Sequence, residues 1–276
     1  MKTSSTIRRR LALVALALAT TGGAAAQRVG SDSVLRDFQR NWDYLLSVDG
    51  KDVPGAEIYL AERVPAFLIL TSSFASPILL TPRTGNVETV HIMKVLKKPD
   101  GSIDLMADAV LSASGKFTLE GENVTFAVGA KKAKLTPKPP LLGMKKSGDL
   151  KTHSPGYVKT AQAYAPNPSA MAALKKESKQ VVVRVFFGSW CPHCKSHIPY
   201  ILRIEDELKS GAIRFEYFGL PRGLDAPEAQ RQNIREVPQA IVLLGGREIG
   251  RIKGTADWEA PEVKLSRLLA IPKPGK

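Results

Sequence analysis

The hydrophobic positions change their spacing along the chain. Between 31 and 46, large apolar residues recur at helical spacing, which predicts an amphipathic helix capped by Ser31 or Asp32. Further along, short apolar runs alternate with turn sequences, which is typical of antiparallel strands. The predicted strands are 76–82, 87–96, 102–111, 116–120, 123–129 and 132–136. We therefore interpret residues 27–136 as a small β-rich domain, in which no catalytic motif is recognisable.

A proline-rich stretch separates this region from one of alternating helices and strands. PKPPLLGMKKSG (137–148) breaks the strand pattern and APNPS (165–169) follows, so we predict a linker at 137–165, with a short helical pattern at 157–164. The downstream patterns predict a mixed sheet with helices on both faces, over residues 166–276. The predicted helices are 169–178, 192–211, 226–234 and 258–270, and the predicted strands are 181–187, 213–219, 240–244 and 248–253.

The first 26 residues are typical of a secretory signal peptide. A basic start is followed by the short apolar run LALVALALAT (11–20) and by small residues at Ala24–Ala26. This run is shorter than the ~20 apolar residues that span a membrane, so we predict no transmembrane segment in the mature chain. Export through the general or the twin-arginine route fits this segment. The predicted location is periplasmic or otherwise extracytoplasmic, where disulfides persist.

The chain is basic, with a formal charge of +14. Removal of the predicted signal peptide reduces the charge to +10, with 36 Lys and Arg against 26 Asp and Glu. A solvated basic surface explains this balance, and attraction to anionic envelope components or acidic clients is the alternative. Because no arginine-rich arm or nucleic-acid module is recognisable, we predict no nucleic-acid partner.

The two cysteines of the chain, Cys191 and Cys194, follow a predicted buried strand and begin a predicted helix. Pro192 suits the first helical position, which makes Cys191 the N-cap residue. Its sulfur then faces the free N–H groups of His193 and Cys194, and the positive helix end stabilises a thiolate. A protonated His193 would add to this effect. Cys194 lies one turn further in, where it can attack a mixed disulfide formed at Cys191.

Other interpretations of the cysteine pair are weaker. A structural zinc site needs four ligands, and although His193 and His197 complete that number, His193 lies inside the cysteine loop and should point away. A structural disulfide closing so small a loop would constrain few unfolded conformations. An inert buried pair does not fit the position between strand and helix. We therefore predict a redox-active pair with no metal and no cofactor.

Residues 166–276 resemble the thioredoxin superfamily. Trp190–Cys194 matches its W-C-x-x-C active site, and Val237-Pro238, just before a predicted strand, fits the loop that carries a cis-proline beside it. The resemblance implies an α/β thioredoxin fold, here preceded by the small β-rich domain. It also implies thiol–disulfide oxidoreductase activity on protein thiols and disulfides, with a redox partner protein. Cys191 and Cys194 would be catalytic, and His193 would tune the potential. Pro238 with Val237 and Trp190 would shape the substrate groove.

Finer features point to two branches of this superfamily. The Pro192-His193 dipeptide and the Val237-Pro238 pair resemble DsbA, an exported disulfide oxidant. The compact domain with an extra N-terminal domain resembles the TlpA/ResA-type extracytoplasmic thioredoxins, because little sequence lies between the second predicted strand and Val237.

Two positions on the strand before the cysteines affect the expected direction of exchange. Val185 stands where thioredoxin has an acidic residue that assists proton transfer for the second thiol. Arg184 is expected either to reach the surface or to stabilise a thiolate. We expect an oxidant of client proteins. The alternatives are an envelope reductant for haem or metal-site maturation, a non-enzymatic binding protein or chaperone, and a copper-handling protein.

Overall fold

The computed structural model describes residues 36–61, 63, 65–209 and 211–270. The predicted signal peptide and the beginning of the helix predicted over 31–46 lie outside the described residues. The chain divides into two units at the boundary between Lys138 and Pro139. Within the described ranges, no helix has the length and apolar character needed to cross a membrane.

The first unit is built from strands. They are β1 (Phe38–Arg40), β2 (Tyr44–Val48), β3 (Lys51–Asp52), β4 (Glu57–Ala61), β5 (Ala66–Leu70), β6 (Ile78–Thr81), β7 (Asn86–Val90), β8 (Val95–Lys97), β9 (Ile103–Leu105), β10 (Leu111–Lys116), β11 (Thr118–Glu120), β12 (Asn123–Val128) and β13 (Lys131–Pro137). The larger sheet has the order β10-β7-β6-β5-β4-β1-β9-β8, and the smaller one has the order β11-β12-β13-β2-β3. The β-rich first region predicted from the sequence is confirmed.

Side-chain alternation builds two cores in this unit. In β6, Ile78 and Leu80 face a core shared with the smaller sheet, whereas Leu79 faces a second core on the other side of the larger sheet. Alternate residues of a strand point to opposite faces, so a strand covered on both sides is apolar throughout. In the smaller sheet, Val124 of β12 pairs with Leu135 of β13, and both are buried. The strands predicted at 76–82, 123–129 and 132–136 are confirmed.

The helix predicted over 31–46 is wrong in its described part, because β1 and β2 occupy it. Phe38 pairs with Ala61 in the larger sheet, and Leu46 pairs with Leu135 in the smaller one. The apolar residues therefore serve two sheets, and their helical spacing is coincidental. Tertiary pairing overrides the local pattern.

Two other predicted strands are interrupted. The segment 87–96 contains a 3₁₀ turn at Ile92–Lys94, where the His91 ring accepts the N–H of Met93. The segment 102–111 is divided between β9 and the start of β10. Strands β4 and β5, which have five residues each, are not predicted from the sequence.

The second unit combines a mixed sheet with helices. Its strands are β14 (Gly143–Lys145), β15 (Val181–Phe187), β16 (Ile213–Gly219), β17 (Gln239–Leu244) and β18 (Arg247–Ile252). Its helices are α1 (Ser147–His153), α2 (Pro155–Ala163), α3 (Pro168–Lys175), α4 (Pro192–Leu208), α5 (Pro227–Arg231), α6 (Gly254–Glu259) and α7 (Pro261–Ala270). The sheet order is β14-β16-β15-β17-β18, with β15 parallel to β16 and antiparallel to β17. The predicted mixed sheet is confirmed.

The linker predicted at 137–165 is wrong for most of its length. Strand β14 pairs with β16, and α1 and α2 follow it. Leu150 and Tyr157 from these helices are buried in the same core as α4. The prolines at the start of the segment suggested a linker, because proline lacks a backbone N–H donor and interrupts regular structure. They do not prevent a strand or a helix from beginning a few residues later.

The predicted elements further along the unit are confirmed with small changes. Strand β15 alternates between two cores, one packed on α4 and one packed on α5. Helix α4 ends with Lys209 in the left-handed conformation, before the predicted stop at Gly211. The helix predicted at 258–270 is divided into α6 and α7.

Arg184 lies on the α5 side of β15 and enters an ion-pair cluster. Its Nε is 2.8 Å from Glu216 Oε2, directly across the parallel pair, and its Nη1 is 3.5 Å from Glu228 Oε1. Of the two expectations for Arg184, the structure supports the favoured one, in which the side chain reaches the surface, where it is 28% exposed, and contradicts the other, in which it stabilises a thiolate. Carboxylates on a neighbouring strand and a neighbouring helix neutralise its charge, which explains how an arginine is accommodated in this apolar strand.

A carboxyl–phenol pair joins α4 to β16. The hydroxyl of the fully buried Tyr217 donates to Glu205 Oε2 at 2.6 Å. Burial raises the pKa of Glu205, and its hydrogen bond from Tyr217 partly opposes this. Because the raised pKa belongs to the folded state, ionisation of Glu205 costs stability as the pH rises above its unfolded value.

We expect Glu205→Gln to raise the free energy of unfolding at pH 7 by about 0.5 kcal/mol, a small effect because partial solvent exposure screens the charge. The glutamine retains an oxygen that can accept from Tyr217. The measurement is urea unfolding at pH 7 and pH 4, and the gain should be smaller at pH 4. Glu120→Gln, at an exposed position of β11, is the control for loss of a carboxylate charge. A gain that is equal at both pH values would contradict this prediction.

Candidate active site

A tight turn presents the first cysteine at the end of β15. The N–H of Cys191 donates to the carbonyl of Gly188 at 2.9 Å, which closes the turn before α4 begins at Pro192. Cys191 has extended backbone angles and occupies the N-cap position. The sequence-predicted placement at a strand-to-helix junction thus exists in the structure, and the N–H groups of the first helical turn favour a thiolate at this position.

The two thiols differ in their surroundings. Cys191 is 6% exposed and Cys194 is completely buried. Both are reduced. The Cys194 sulfur accepts the N–H of Gly188 at 3.4 Å, and the Cys191 sulfur is 3.6 Å from the carbonyl oxygen of Val237. Cys191 is therefore the thiol closer to solvent and to an approaching substrate.

The electrostatics of the pair are equally asymmetric. The pKa of Cys191 is lowered to about 6, chiefly by the hydrogen bond from the Cys194 thiol. Burial opposes this shift, whereas the backbone N–H groups of Cys194 and His193 and the charge of His193 reinforce it. Burial raises the pKa of Cys194 well above its ordinary value, and the neighbouring Cys191 adds to this shift. A pKa near 6 favours the thiolate of Cys191 at pH 7, whereas the raised pKa of Cys194 keeps its proton in place.

A proline loop borders Cys191 on one side. Phe186 of β15 pairs with Gln239 of β17, so the residues just before β17 lie beside the active-site turn. The Val237-Pro238 bond in this loop is cis. Val237 is partly buried and packs against the hydrophobic cores on both faces of the sheet. The loop thereby places a backbone carbonyl at the sulfur of Cys191.

Trp190 lies between Cys191 and the loop that follows β16. Its indole Nε1–H donates to the carbonyl of Leu220 at 2.8 Å, and the Arg222 guanidinium lies 5.6 Å from its ring centroid. A Cβ added to Gly188 would lie 2.5 Å from the indole ring. The absence of a side chain at Gly188 allows Trp190 to pack over the turn.

The histidines of the helix lie at its surface. His193 is exposed in the first turn, and the Nδ1 of His197 is 2.9 Å from the His193 carbonyl oxygen. The His197 ring also makes an edge contact with Tyr200. In the described part of the chain, no three His, Cys, Asp or Glu side chains form a group suited to hold a metal ion.

Sequence reasoning missed part of the site. Ser189 is buried next to Trp190, and its Oγ accepts the N–H of Leu141 at 3.0 Å. Leu141 belongs to the segment predicted as a linker, and no local signal connects it with the cysteines. Gly188 offered a weak signal, since a glycine directly after a buried strand often marks a close backbone approach.

Comparison with known proteins supports the fold of this unit. Residues 167–265 match the family model described as thioredoxin. The second unit has a thioredoxin fold. No curated protein sequence matches this chain. Proteins with a thioredoxin domain generally carry out thiol–disulfide redox chemistry, with protein thiols as substrates.

Solved structures similar to the chain include two thioredoxins. Thioredoxin h from Nicotiana alata is 23% identical, with 35% of this chain and 76% of that chain covered and a TM-score of 0.26. Oxidised mitochondrial thioredoxin 3 from Saccharomyces cerevisiae is 16% identical, with 41% and 99% covered and a TM-score of 0.27. A protein of unknown function from Pseudomonas aeruginosa is 13% identical, with 44% and 89% covered and a TM-score of 0.37.

Proposed function

We propose that the chain is an extracytoplasmic thiol–disulfide oxidoreductase that oxidises client proteins through Cys191 and Cys194. The observation that carries this proposal is the asymmetry of the pair. The pKa of Cys191 is lowered to about 6, whereas that of Cys194 is raised. A low thiol pKa makes a sulfur a good leaving group and stabilises the reduced state.

The reaction proceeds by two exchange steps. A client thiolate attacks the Cys191 sulfur of the oxidised pair, the Cys191–Cys194 bond breaks, and Cys194 leaves and takes up a proton. A second client thiolate then attacks the client sulfur of the mixed disulfide, and Cys191 leaves as a thiolate. The client loses two electrons and gains a disulfide, and the pair becomes a dithiol. A partner disulfide returns the pair to the oxidised state.

Oxidation is the favoured direction because the reduced pair is stabilised. Each pKa unit by which the Cys191 thiolate is favoured corresponds to ~1.4 kcal/mol, and stabilising the reduced form raises the reduction potential. Val185 is completely buried in the core that contains Cys194 and supplies no carboxylate to accept its proton. An oxidant depends less on such an acceptor than a reductant does, because Cys194 is the leaving thiol and receives a proton.

A reductant for haem or metal-site maturation is the second candidate. One observation favours it: the segment from β16 to β17 contains a single short helix, α5, in place of a helical insertion. This is the compact form of the TlpA/ResA-type proteins. The dipeptide between the cysteines acts directly on the thiolate, so we give it greater weight than the architecture.

The loop at Val237 suits an extended client. An extended peptide beside Val237-Pro238 can pair with the loop backbone in the manner of an added strand, which depends little on the client's side chains. Trp190 would form the opposite wall of this groove. The broad range of clients expected of an exported oxidant follows from recognition of the main chain.

The proposed location rests on the signal-like segment at 1–26, together with chemistry that needs a compartment where disulfides persist. Fusing residues 1–30 to a reporter that is active only after export would test this part separately. Export of the fusion supports the location, and retention in the cytoplasm contradicts it.

Oxidative folding of a reduced, disulfide-dependent enzyme tests the proposed activity. We expect the full chain without its signal segment to accelerate recovery of the enzyme's activity in a glutathione buffer. The Cys191→Ser/Cys194→Ser double variant is the matched control. Equal recovery with both proteins would contradict the proposal and favour a binding or chaperone role.

A further inference from the structure

The turn that presents Cys191 is held by hydrogen bonds from two other segments. Ser189 and Trp190 are its two central residues. The Ser189 hydroxyl oxygen accepts the N–H of Leu141 at 3.0 Å, and the Trp190 indole donates to the carbonyl of Leu220 at 2.8 Å. The turn is therefore fixed on both sides by groups that belong to neither β15 nor α4.

Leu141 reaches Ser189 because its segment crosses directly over β16. Strand β14 pairs with β16, with Gly143 opposite Gly219. A Cβ added to Gly219 would lie 2.1 Å from the Leu141 carbonyl oxygen. No side chain fits between the two backbones, so the position of Leu141 depends on glycine at 219.

We propose that Ser189, held by the N–H of Leu141, is a positioning residue that fixes the active-site turn and thereby the sulfur of Cys191. This inference rests on the proposed thiol–disulfide exchange. Ser189 does not touch the reacting sulfurs in any contact described above. It acts through the turn of which it is a central residue.

The effect on the sulfur follows from the geometry of the turn. The Cys191 N–H closes this turn on Gly188, and the Gly188 N–H donates to the Cys194 sulfur. Rotation of the Ser189-Trp190 peptide would shift both sulfurs relative to one another and to the N-terminus of α4. Those neighbours stabilise the Cys191 thiolate, and their effect decreases steeply with distance and misalignment.

The burial of Ser189 makes this contact specific. Ser189 is 7% exposed and its hydrogen bond with the Leu141 N–H is partly buried, so access of water to replace the lost partner is restricted. An unsatisfied buried donor is costly, and the local backbone would move to relieve it. Removing the hydroxyl should therefore displace the turn as well as delete one contact.

The test measures the Cys191 thiolate directly, by its ultraviolet absorbance as a function of pH in the reduced full chain without its signal segment. For Ser189→Ala we expect the pKa of Cys191 to rise by about 0.4 to 1.1 unit, the range that one neutral hydrogen bond supports. Ser189→Thr, which retains a hydroxyl, should restore the wild-type value. Ser178→Ala removes an exposed hydroxyl outside the active-site turn and outside α4, and should leave the pKa unchanged.

Gly219→Ala provides an independent route to the same contact, because it displaces Leu141 without altering Ser189. If the two changes act through one hydrogen bond, the shift in the double variant Ser189→Ala/Gly219→Ala should be smaller than the sum of the single shifts. An unchanged pKa in Ser189→Ala would overturn the inference. So would equal shifts in Ser189→Ala and Ser189→Thr. The titration needs no client, so its result is independent of whether the proposed exchange activity occurs.

Discussion

Cys194→Ser is expected to convert the protein into a trap for its clients. In this variant, a client disulfide attacked by Cys191 yields a mixed disulfide that lacks its resolving thiol, so the covalent complex accumulates. Cys191→Ser should accumulate few complexes, because the remaining thiol is completely buried and has a raised pKa. We expect at least a tenfold difference in trapped complex, since thiolate fraction and access both favour Cys191.

Non-reducing gel electrophoresis of the two variants, after incubation with a disulfide-containing client, measures this difference. Alkylation of the reduced wild-type protein is the accompanying check. Cys191 should react half-maximally near pH 6, and Cys194 should stay unreacted at that pH. Equal alkylation of both thiols, or equal trapping by both variants, would contradict the division of roles.

Much of the second unit was predictable because its sequence is locally consistent. The run VVVRVFF is apolar enough to require burial on both faces, and a proline directly after Cys191 defines a helix start. Each pattern agrees with the final fold, so the predicted bounds of the elements from β15 to β18 are close to the observed bounds. The cysteine pair follows from the same agreement, since it lies at the junction of two well-predicted elements.

The first unit was less predictable because its strands depend on distant partners. Phe38 and Leu46 belong to different sheets, and each pairs with residues that lie far along the chain. Their spacing along the chain matches that of a helix, but the strand pairing, which this spacing does not reveal, determines their structure. The proline-rich start of 137–165 concealed β14, α1 and α2 in a similar way, because β14 is specified by its pairing with β16.

The parts of the candidate site that could not be predicted from the sequence are the contacts made through backbone atoms. Leu141 contributes its N–H, Leu220 its carbonyl, and Val237 its carbonyl near the Cys191 sulfur. Side-chain identity reveals none of these groups, because every residue except proline carries the same donor and acceptor. Only the sheet register brings them to one edge.

His193→Pro is expected to make the pair a weaker oxidant. Both the charge of His193 and its backbone N–H lower the pKa of Cys191, and proline at this position removes both. We expect the pKa of Cys191 to rise by about one unit and the reduction potential at pH 7 to fall by about 20 to 30 mV. Thiolate absorbance and equilibration with glutathione measure the two quantities.

Two matched variants separate the causes. His193→Gln removes the charge and retains the N–H, so its shifts should have the same sign and be smaller. His197→Gln changes a histidine one turn further along α4 and should leave both quantities close to wild type. A potential that is unchanged or higher in His193→Pro would contradict the role of this residue.

The reduction potential of the wild-type pair tests the central claim most directly. The full chain without its signal segment is equilibrated in glutathione buffers of defined ratio, and the fractions of reduced and oxidised pair are determined after acid quenching and alkylation. An oxidant with a stabilised Cys191 thiolate should give a potential above about −200 mV, on the side of DsbA at about −120 mV. A potential near the −270 mV that is typical of thioredoxin (about 70 mV lower) would show that the pair is a reductant and would contradict the account.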